Sequence, residues 1–274
     1  MPVSVQELLD SGARRLAHVA SPRKEAGLLL AHALGVERNW VVTHPDALVE
    51  SGDFDAFVAR REAHEPIEYI VGEVSFYSQN FFADSRALIA RPETELLIDA
   101  VLAKVPADFA GTIVEVGIGS GIISIVLAQK LPYARIVGLD ISPLALELAA
   151  KNIARYGLTQ RIELGQSDLL DNYHGAIDVL VSNPPYIALD VALEKPLGYE
   201  PQNALFGGSR GDELIVRLLQ RLYSDKIALF ACEMGYDQRA NVMEYCANRD
   251  GYGVEFYSDY AGHDRGFVIQ TKER

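Results

Sequence analysis

The sequence predicts an α/β fold, in which helices cover both faces of a mainly parallel sheet. From Thr112 onward, short apolar runs alternate with segments that have the pattern of helices. A glycine-rich turn, Gly117–Gly121, follows the first apolar run, and Asp140 ends the second. The chain has 274 residues, of which 49% are hydrophobic, and this is enough for one large domain and one smaller domain.

The first part of the chain is predicted to be helical. Ser4 and Glu7 have the spacing of a capping box at the start of a helix. Pro22 is suited to the first position of a second helix. The second and third helices are predicted at Ser21–Gly35 and at about Asp53–His64. Because this region carries neither a glycine-rich loop nor a cluster of catalytic side chains, we expect it to serve in packing or recognition.

A β-hairpin is predicted next. Phe76-Tyr77 and Phe81-Phe82 flank the polar stretch Ser78-Gln79-Asn80, which is typical of two short strands joined by a loop. We expect this hairpin to join the two domains.

The stretch Arg91-Pro92-Glu93-Thr94-Glu95 is predicted to open a helix. Pro92 is then early in the helix, and the carboxylates of Glu93 and Glu95 lie in its first turn, where the helix dipole favours them. Two interpretations stay open, because one of these carboxylates, or Arg91, could also line a binding site.

The remainder of the chain supplies the sheet. Strands are predicted at Thr112–Val116, Arg135–Leu139, Arg161–Leu164, Asp178–Val181 and Ile227–Cys232. Helices are predicted after Ser120, from Ser142-Pro143, after Gly211 and after Tyr236. Two closing segments, Gly253–Tyr257 and Gly266–Thr271, are predicted to complete the sheet as a hairpin.

Charge and cysteine content narrow the functional class. The formal net charge of −13 argues against binding nucleic acid mainly through a basic surface. The two cysteines, Cys232 and Cys246, lack CxxC spacing, so neither a zinc site nor a disulfide framework is indicated. The sequence shows neither a signal peptide nor an apolar stretch long enough to span a bilayer. We expect a cytoplasmic, soluble protein without a metal.

The glycine-rich turn predicts a nucleoside site. Its spacing is G-x-G-x-G, and it lacks the following Lys or Arg that would neutralise a phosphate. Asp140 ends the next strand, where a carboxylate can accept hydrogen bonds from both ribose hydroxyls, and Asp168 could hold the nucleoside from the other side. S-adenosylmethionine is the common cofactor that contains a nucleoside without a pyrophosphate. Taken alone, the turn could also be a structural connection between a strand and a helix.

The stretch Asn183-Pro184-Pro185-Tyr186 predicts a substrate site at the end of the fourth strand. The side-chain oxygen of Asn183 and the backbone carbonyl of Pro184 can accept two hydrogen bonds from a planar NH2 group. Pro185 restricts the conformation of Pro184, and Tyr186 can pack on the planar group. Holding a weak nitrogen nucleophile towards a methyl group in this way needs neither a metal nor a nucleophilic residue, and a general base is optional.

Motifs along nearly the whole chain resemble those of the bacterial peptide chain release factor N5-glutamine methyltransferases. Besides the NPPY motif, the resemblance lies in Pro66–Gly72 (PIEYIVG), Arg91–Glu95 (RPETE), Glu200-Pro201 with Gly207-Gly208, and Asp259–Arg265 (DYAGHDR). NPPY is shared by amino-methyltransferases of several substrate classes, whereas RPETE placed upstream of it is much more specific.

The resemblance implies a Rossmann-like class I methyltransferase sheet behind a small helical domain. It implies a recognition domain at residues 1–70, a hairpin linker at 71–90 and a methyltransferase domain at 91–274. The implied reaction transfers methyl from S-adenosylmethionine to the side-chain amide of the glutamine in the Gly-Gly-Gln motif of release factors, leaving S-adenosylhomocysteine.

The resemblance also implies the site residues. The cofactor would be bound by Gly117, Ile118, Gly119, Ser120, Gly121, Asp140, Asp168, Leu169 and Asn183. The substrate glutamine would be held by Asn183, Pro184, Pro185 and Tyr186, of which Asn183, Pro184 and Tyr186 are the predicted catalytic residues.

The chain departs from the family pattern at a few positions. Glu115 replaces the more usual Asp, Ile118 replaces a small residue, Ala90 replaces a Pro, and Leu169 stands where some members carry an aromatic residue. These changes are expected to tune cofactor affinity without changing the reaction.

Two other interpretations were weighed. A nucleic-acid amino-methyltransferase acting on adenine or guanine would use the same NPPY motif, but the negative net charge of the chain disfavours it. A regulatory protein that binds the cofactor without turnover is disfavoured by the intact NPPY motif. We therefore expect a release-factor partner and neither direct nucleic-acid binding nor membrane association.

Overall fold

A computed structural model describes residues 2–247, 249 and 251–271. The described residues divide into two compact units, Met1–Glu73 with Glu194–Tyr199, and Val74–Leu193 with Glu200–Arg274. The functional division into recognition domain, linker and methyltransferase domain stays a prediction. Among the described residues, no helix combines the length and the apolar character that crossing a membrane requires.

The first unit is mainly helical. Its elements are β1 (Val3–Ser4), α1 (Val5–Arg15), α2 (Pro22–Leu34), α3 (Arg38–Thr43), β2 (Leu48–Val49), α4 (Phe54–Glu62) and α5 (Ile67–Val71). The predicted capping box is confirmed, since Ser4 and Glu7 exchange side-chain-to-backbone hydrogen bonds. The second helix ends as predicted at Gly35, whose φ of 63° is left-handed. Leu29, Leu30 and Phe54 are fully buried in the core of this unit.

Four elements of the first unit, β1, β2, α3 and α5, were not predicted. The strands β1 and β2 pair antiparallel over two residues each, with Val3 opposite Val49. They are too short for an alternating pattern, and their pairing depends on a contact between distant parts of the chain. The helix α3 has only Val41 buried, so its sequence carries almost no apolar periodicity.

The second unit contains the sheet. Its elements are β3 (Glu73–Phe76), β4 (Gln79–Phe82), α6 (Thr94–Leu102), β5 (Thr112–Val116), α7 (Ile122–Lys130), β6 (Arg135–Asp140), α8 (Pro143–Arg155), β7 (Ile162–Gln166), β8 (Val179–Ser182), β9 (Ile187–Ala188), β10 (Phe206–Gly208), α9 (Glu213–Ser224), β11 (Leu229–Glu233), α10 (Arg239–Cys246), β12 (Tyr252–Ser258) and β13 (Asp264–Thr271).

Within the described part of the chain, seven strands form the central sheet in the order β12-β13-β11-β8-β5-β6-β7. All pairs are parallel except those of β13, which runs antiparallel to β11 and β12. The predicted α/β fold and the closing hairpin are therefore confirmed. The strand order reverses between β5 and β8, and this is where open α/β sheets bind ligands.

The register of the sheet decides which residues meet at this point. Val116 of β5 and Cys232 of β11 both pair with Ser182 of β8. The residues that follow these three, Gly117, Glu233 and Asn183, consequently lie at the same level along the strands.

The predicted hairpin is present, but its turn is shifted. The loop consists of Tyr77 and Ser78, with φ of 50° and 59°, and Gln79 and Asn80 already belong to β4. The prediction of a Ser78–Asn80 loop was wrong because two non-glycine residues adopt the left-handed conformation that a two-residue hairpin turn requires.

A buried asparagine joins this hairpin to the glycine-rich turn. The side chain of Asn152 in α8 accepts a hydrogen bond from the Phe82 nitrogen at 2.8 Å. Its amide donates to the carbonyl oxygens of Phe82 (3.1 Å) and Ser120 (2.9 Å). One fully buried side chain thus fixes the hairpin against the loop that follows β5.

Candidate active site

A cavity of about 260 Å³ lies at the carboxyl ends of β5, β6 and β8. Its wall is formed by the loop after β5, the end of β6, the beginning of α6 and the loop after β8, all within the second unit. The predicted meeting of the glycine-rich turn with Asn183 is confirmed, since both line this cavity.

The glycine-rich turn curves back over the sheet. The nitrogens of Gly117 and Ile118 both donate to the Leu139 oxygen, at 2.8 and 2.9 Å. Gly117 and Gly119 have φ of 73° and 54°, a conformation that disfavours residues with a Cβ. A Cβ added to Gly117 would lie 3.8 Å from the backbone oxygen of Asn183. The turn therefore passes directly beside Asn183–Tyr186, the segment after β8 that is called the NPPY corner below.

Asp140 presents a carboxylate to the cavity. Its two oxygens accept one backbone hydrogen bond each, from Gly119 and from Ser142, both at 2.9 Å. Burial raises the pKa of this carboxyl. Each oxygen keeps acceptor capacity, which suits the paired hydroxyls of a ribose. With the open glycine turn and the apolar walls of Ile118 and Ile141, the residues present fit a nucleoside such as that of S-adenosylmethionine.

Glu115 lies beneath the turn. Its carboxyl accepts hydrogen bonds from the backbone nitrogen of Ser124, at 2.9 Å, and from the Ser124 hydroxyl. The side chain is fully buried, and burial raises its pKa to about 8. Glu115 therefore fixes the first turn of α7 against the end of β5.

Asn183 belongs to a chain of hydrogen bonds. Its Nδ2 donates to the Thr94 Oγ1 at 3.2 Å, and the Thr94 hydroxyl donates to a carboxylate oxygen of Glu233 at 2.7 Å. The other Glu233 oxygen accepts from the Tyr186 hydroxyl at 3.4 Å. Burial raises the pKa of Glu233 to about 7 and raises that of Tyr186 as well.

Two glycines, Gly207 and Gly211, pack closely against the backbone of the NPPY corner. A Cβ added to Gly207 would lie 2.2 Å from the Gly211 oxygen and 2.3 Å from the Pro185 oxygen. A Cβ on Gly211, whose φ is 86°, would lie 2.4 Å from the Tyr186 oxygen. The corner is held by close backbone contacts that only glycine permits.

Most of the predicted site residues line one cavity. They are Gly117, Ile118, Gly119, Ser120, Asp140, Asp168, Leu169, Asn183, Pro184 and Pro185. Gly121 and Tyr186 are not part of the lining. Gly121 begins α7 with φ of 83°, and a Cβ there would lie 3.3 Å from the Ala149 Cβ, so its place is in packing against α8. Tyr186 directs its hydroxyl to Glu233 instead of the cavity.

Asp168 and Leu169, which follow β7, also line the cavity. The Asp168 carboxylate is half exposed and forms an ion pair with Arg217 at 3.1 Å. Leu169 has φ of 50°, an unusual value for a branched residue, and it is partly buried against the core of the sheet.

Of the three charged residues in the RPETE stretch, only Arg91 is among the residues that line the cavity. Arg91 lines the cavity and forms an ion pair with buried Glu200, whose other oxygen accepts from the Ile89 nitrogen at 3.0 Å. Glu95 accepts from the Tyr77 nitrogen at 2.7 Å, so it fixes the hairpin. The helix begins at Thr94, two residues later than Pro92 suggested.

The sequence interpretation missed Thr94 and Glu233 as site residues. Thr94 carries no charge, and the charged residues on either side of it in RPETE gave the stronger functional signal. Glu233 ends β11, next to β8, so the rule that ligands bind at the carboxyl ends of strands would have identified it.

Comparisons with known proteins identify the family that the chain resembles. Residues 7–72 match the PrmC N-terminal domain, and residues 91–195 match the methyltransferase small domain. A release factor glutamine methyltransferase of Koribacter versatilis is 36% identical over 97% of this chain and 98% of its own. A second one, of Moorella thermoacetica, is 35% identical over 99% of this chain and 100% of its own.

Among solved structures, a methyltransferase from Pyrococcus furiosus is similar in fold. Its TM-score is 0.52 at 19% identity, over 71% of this chain and 89% of that chain.

Proposed function

This chain belongs to the family of release factor glutamine methyltransferases, and we propose that it transfers a methyl group from S-adenosylmethionine to the side-chain amide of the glutamine in the Gly-Gly-Gln motif of release factors. The observation that carries the proposal is the position of Asn183 beside the glycine turn, with its carboxamide nitrogen already bonded to Thr94. Near-full-length similarity to relatives of that name supports the substrate class.

The cofactor is bound by the glycine turn and Asp140. Asp140 accepts hydrogen bonds from the ribose hydroxyls, and Gly117 to Ser120 provide the close backbone surface. Ile118, Leu169 and Ile141 supply apolar walls. When bound, S-adenosylmethionine supplies a methyl group on a positively charged sulfur.

The substrate amide is held by the NPPY corner. Among the described residues, none donates a hydrogen bond to the Asn183 Oδ1 or the Pro184 carbonyl oxygen, so both can accept from the substrate NH2. Two such bonds fix the plane of the amide and direct its weak nitrogen lone pair. Pro185 keeps Pro184 extended, and Tyr186 closes the corner beside them. Positioning of this kind accounts for a large part of the rate gain in bimolecular reactions.

The proposed substrate protein indicates where in the cell the enzyme would act. A release factor acts in translation, so we propose that the protein works in the cytoplasm. Docking is assigned to the helical residues 1–70, and direct nucleic-acid binding is not part of the proposal.

The decisive experiment offers labelled S-adenosylmethionine to the full chain with three acceptors in parallel. They are a release factor, the same factor with its Gly-Gly-Gln glutamine changed to Ala, and a mixture of DNA and RNA. Label on the intact factor alone supports the proposal. Label on nucleic acid and none on the factor contradicts it and favours an adenine or guanine amino-methyltransferase.

The cofactor assignment predicts that Asp140→Asn raises the Kd for S-adenosylhomocysteine by roughly 10- to 100-fold, because a good acceptor for two hydroxyls becomes partly a donor. Titration calorimetry measures this shift, and a thermal melt shows whether the fold is kept.

Asp55→Asn is the matched control, since that carboxylate is exposed and pairs with Arg15, and neither residue lines the cavity. Equal Kd values for the two variants would contradict the role of Asp140.

A further inference from the structure

In the hydrogen bonds around Asn183, the available protons decide which atom donates and which accepts. The Thr94 hydroxyl has one proton, and it donates this proton to Glu233 over 2.7 Å. Towards Asn183, Thr94 can then only accept. The Asn183 Nδ2, 3.2 Å away, is the atom that donates to it.

This direction decides which end of the Asn183 carboxamide is available. Nδ2 is bonded to Thr94, and within the described part of the chain no hydrogen bond to the Asn183 Oδ1 is seen, so Oδ1 is the end that can accept. A rotation of the carboxamide by half a turn would exchange oxygen and nitrogen. It would then present a donor to the substrate NH2, which is itself a donor.

We propose that Glu233 is a positioning residue, which acts through Thr94 to keep the Asn183 oxygen available to the substrate amide. This inference rests on the proposed function, because it assumes that Asn183 receives an NH2 group. It adds two residues, on α6 and β11, to those that the reaction requires.

The position of Glu233 suits it to fix which atoms donate and which accept in these hydrogen bonds. It lies level with Asn183 in the sheet register, and its side chain is buried. Thr94 is also buried, with 2% exposure. A buried carboxylate that accepts from both Thr94 and Tyr186 restricts both side chains.

The charge of Glu233 is set by its surroundings. Burial is the main cause that raises its pKa to about 7, and Glu93 raises it further, while Thr94, Tyr186 and Arg265 lower it. Cys232, which is buried, and Tyr257, which is partly buried, also interact with this carboxylate. Below this pKa the protonated carboxyl can itself donate, and the direction of the chain is no longer imposed.

The first test is kinetic, with the full chain and a release factor. Glu233→Gln replaces an acceptor with a group that can donate, so kcat is expected to fall by roughly 10- to 100-fold while KM for the factor and the Kd for S-adenosylhomocysteine stay within about threefold. Thr94→Val, which removes the hydroxyl, should show the same loss, and Thr94→Ser should recover most of the turnover.

The pH profile separates positioning from a merely structural role. In the unchanged protein, kcat should rise with pH through about 7, as Glu233 loses its proton. In Glu233→Gln this step should be absent. Glu163→Gln is the control, because that carboxylate is exposed on β7 and pairs with Arg135.

A spectroscopic readout does not depend on turnover. The side-chain amide resonance of Asn183, assigned by its loss in Asn183→Ala, should shift with pH near 7 in the unchanged protein. It should not shift in Glu233→Gln or Thr94→Val. Thermal melts identify any variant that fails to fold, and Thr94→Ser provides a second, milder change at the same contact.

The outcomes separate this inference from the proposed function. If the unchanged protein labels no release factor while the Asn183 resonance follows Glu233, the proposed function fails and the link between these residues stands. If the protein labels the factor and Glu233→Gln keeps kcat, the pH profile and the resonance unchanged, the inference is overturned.

Discussion

Asn183→Ala is expected to lower kcat by roughly 100- to 1,000-fold, the cost of removing one well-placed polar group from an active site. In the proposed site the methyl donor is held by the glycine turn and Asp140, so the Kd for S-adenosylhomocysteine should change by less than about threefold. Single-turnover methylation of a release factor, with calorimetry of S-adenosylhomocysteine binding, measures both quantities.

The matched control is Asn203→Ala. Asn203 is an exposed asparagine that lines the same cavity and lies outside the NPPY corner. Its removal should leave kcat within about threefold of normal, since it makes no proposed contact with the amide. Lost cofactor affinity in Asn183→Ala, with normal turnover at saturation, would refute the assignment.

Gly207→Ala is expected to displace the NPPY corner. The new Cβ would meet the Gly211 and Pro185 oxygens at 2.2 and 2.3 Å, and backbone atoms cannot rotate away as the end of a flexible side chain can. Overpacking of this kind costs about 1–3 kcal/mol or more in the free energy of unfolding. Because a small misplacement of reacting groups is expensive, kcat should fall by roughly 100-fold in the protein that remains folded.

Gly253→Ala controls for the loss of a glycine. No heavy atom lies within 4 Å of its added Cβ. Chemical denaturation and steady-state kinetics of both variants make the comparison. If Gly207→Ala matched Gly253→Ala in both, the close backbone support of the corner would be wrong.

The elements that were predicted correctly have local causes. The Ser4–Glu7 capping box, the helix from Pro22 to Gly35 and the apolar strands of the sheet each depend on residues within a few positions of one another. The errors lie where distant residues decide. The β1–β2 pair needs residues 3 and 49 to meet, and the Tyr77-Ser78 turn adopts a conformation that its residue types disfavour.

The site residues also separate into those predicted from local motifs and those that depend on contacts between distant parts of the chain. The spacing of the glycine turn and the NPPY motif was sufficient to predict the cavity between β5 and β8. The link between Thr94 and Glu233 spans 139 positions, so no local pattern contains it. Gly121 was grouped with the cofactor residues because it completes a motif, although it is not part of the cavity lining and a Cβ added to it would meet Ala149 of α8.

Glu115, the buried acid beneath the glycine turn, makes the free energy of unfolding depend on pH. Glu115 has a pKa of about 8 in the folded chain, against an ordinary value of 4.5, because it is buried. Between these two values the native chain retains a proton that the unfolded chain releases, so folding is accompanied by proton uptake. Its contribution to the free energy of unfolding is full in acid and declines as pH rises through about 8. Raising the pH from about 4.5 to about 8 should therefore lower the free energy of unfolding, and the carboxyl responsible lies beneath the turn that is proposed to hold the cofactor.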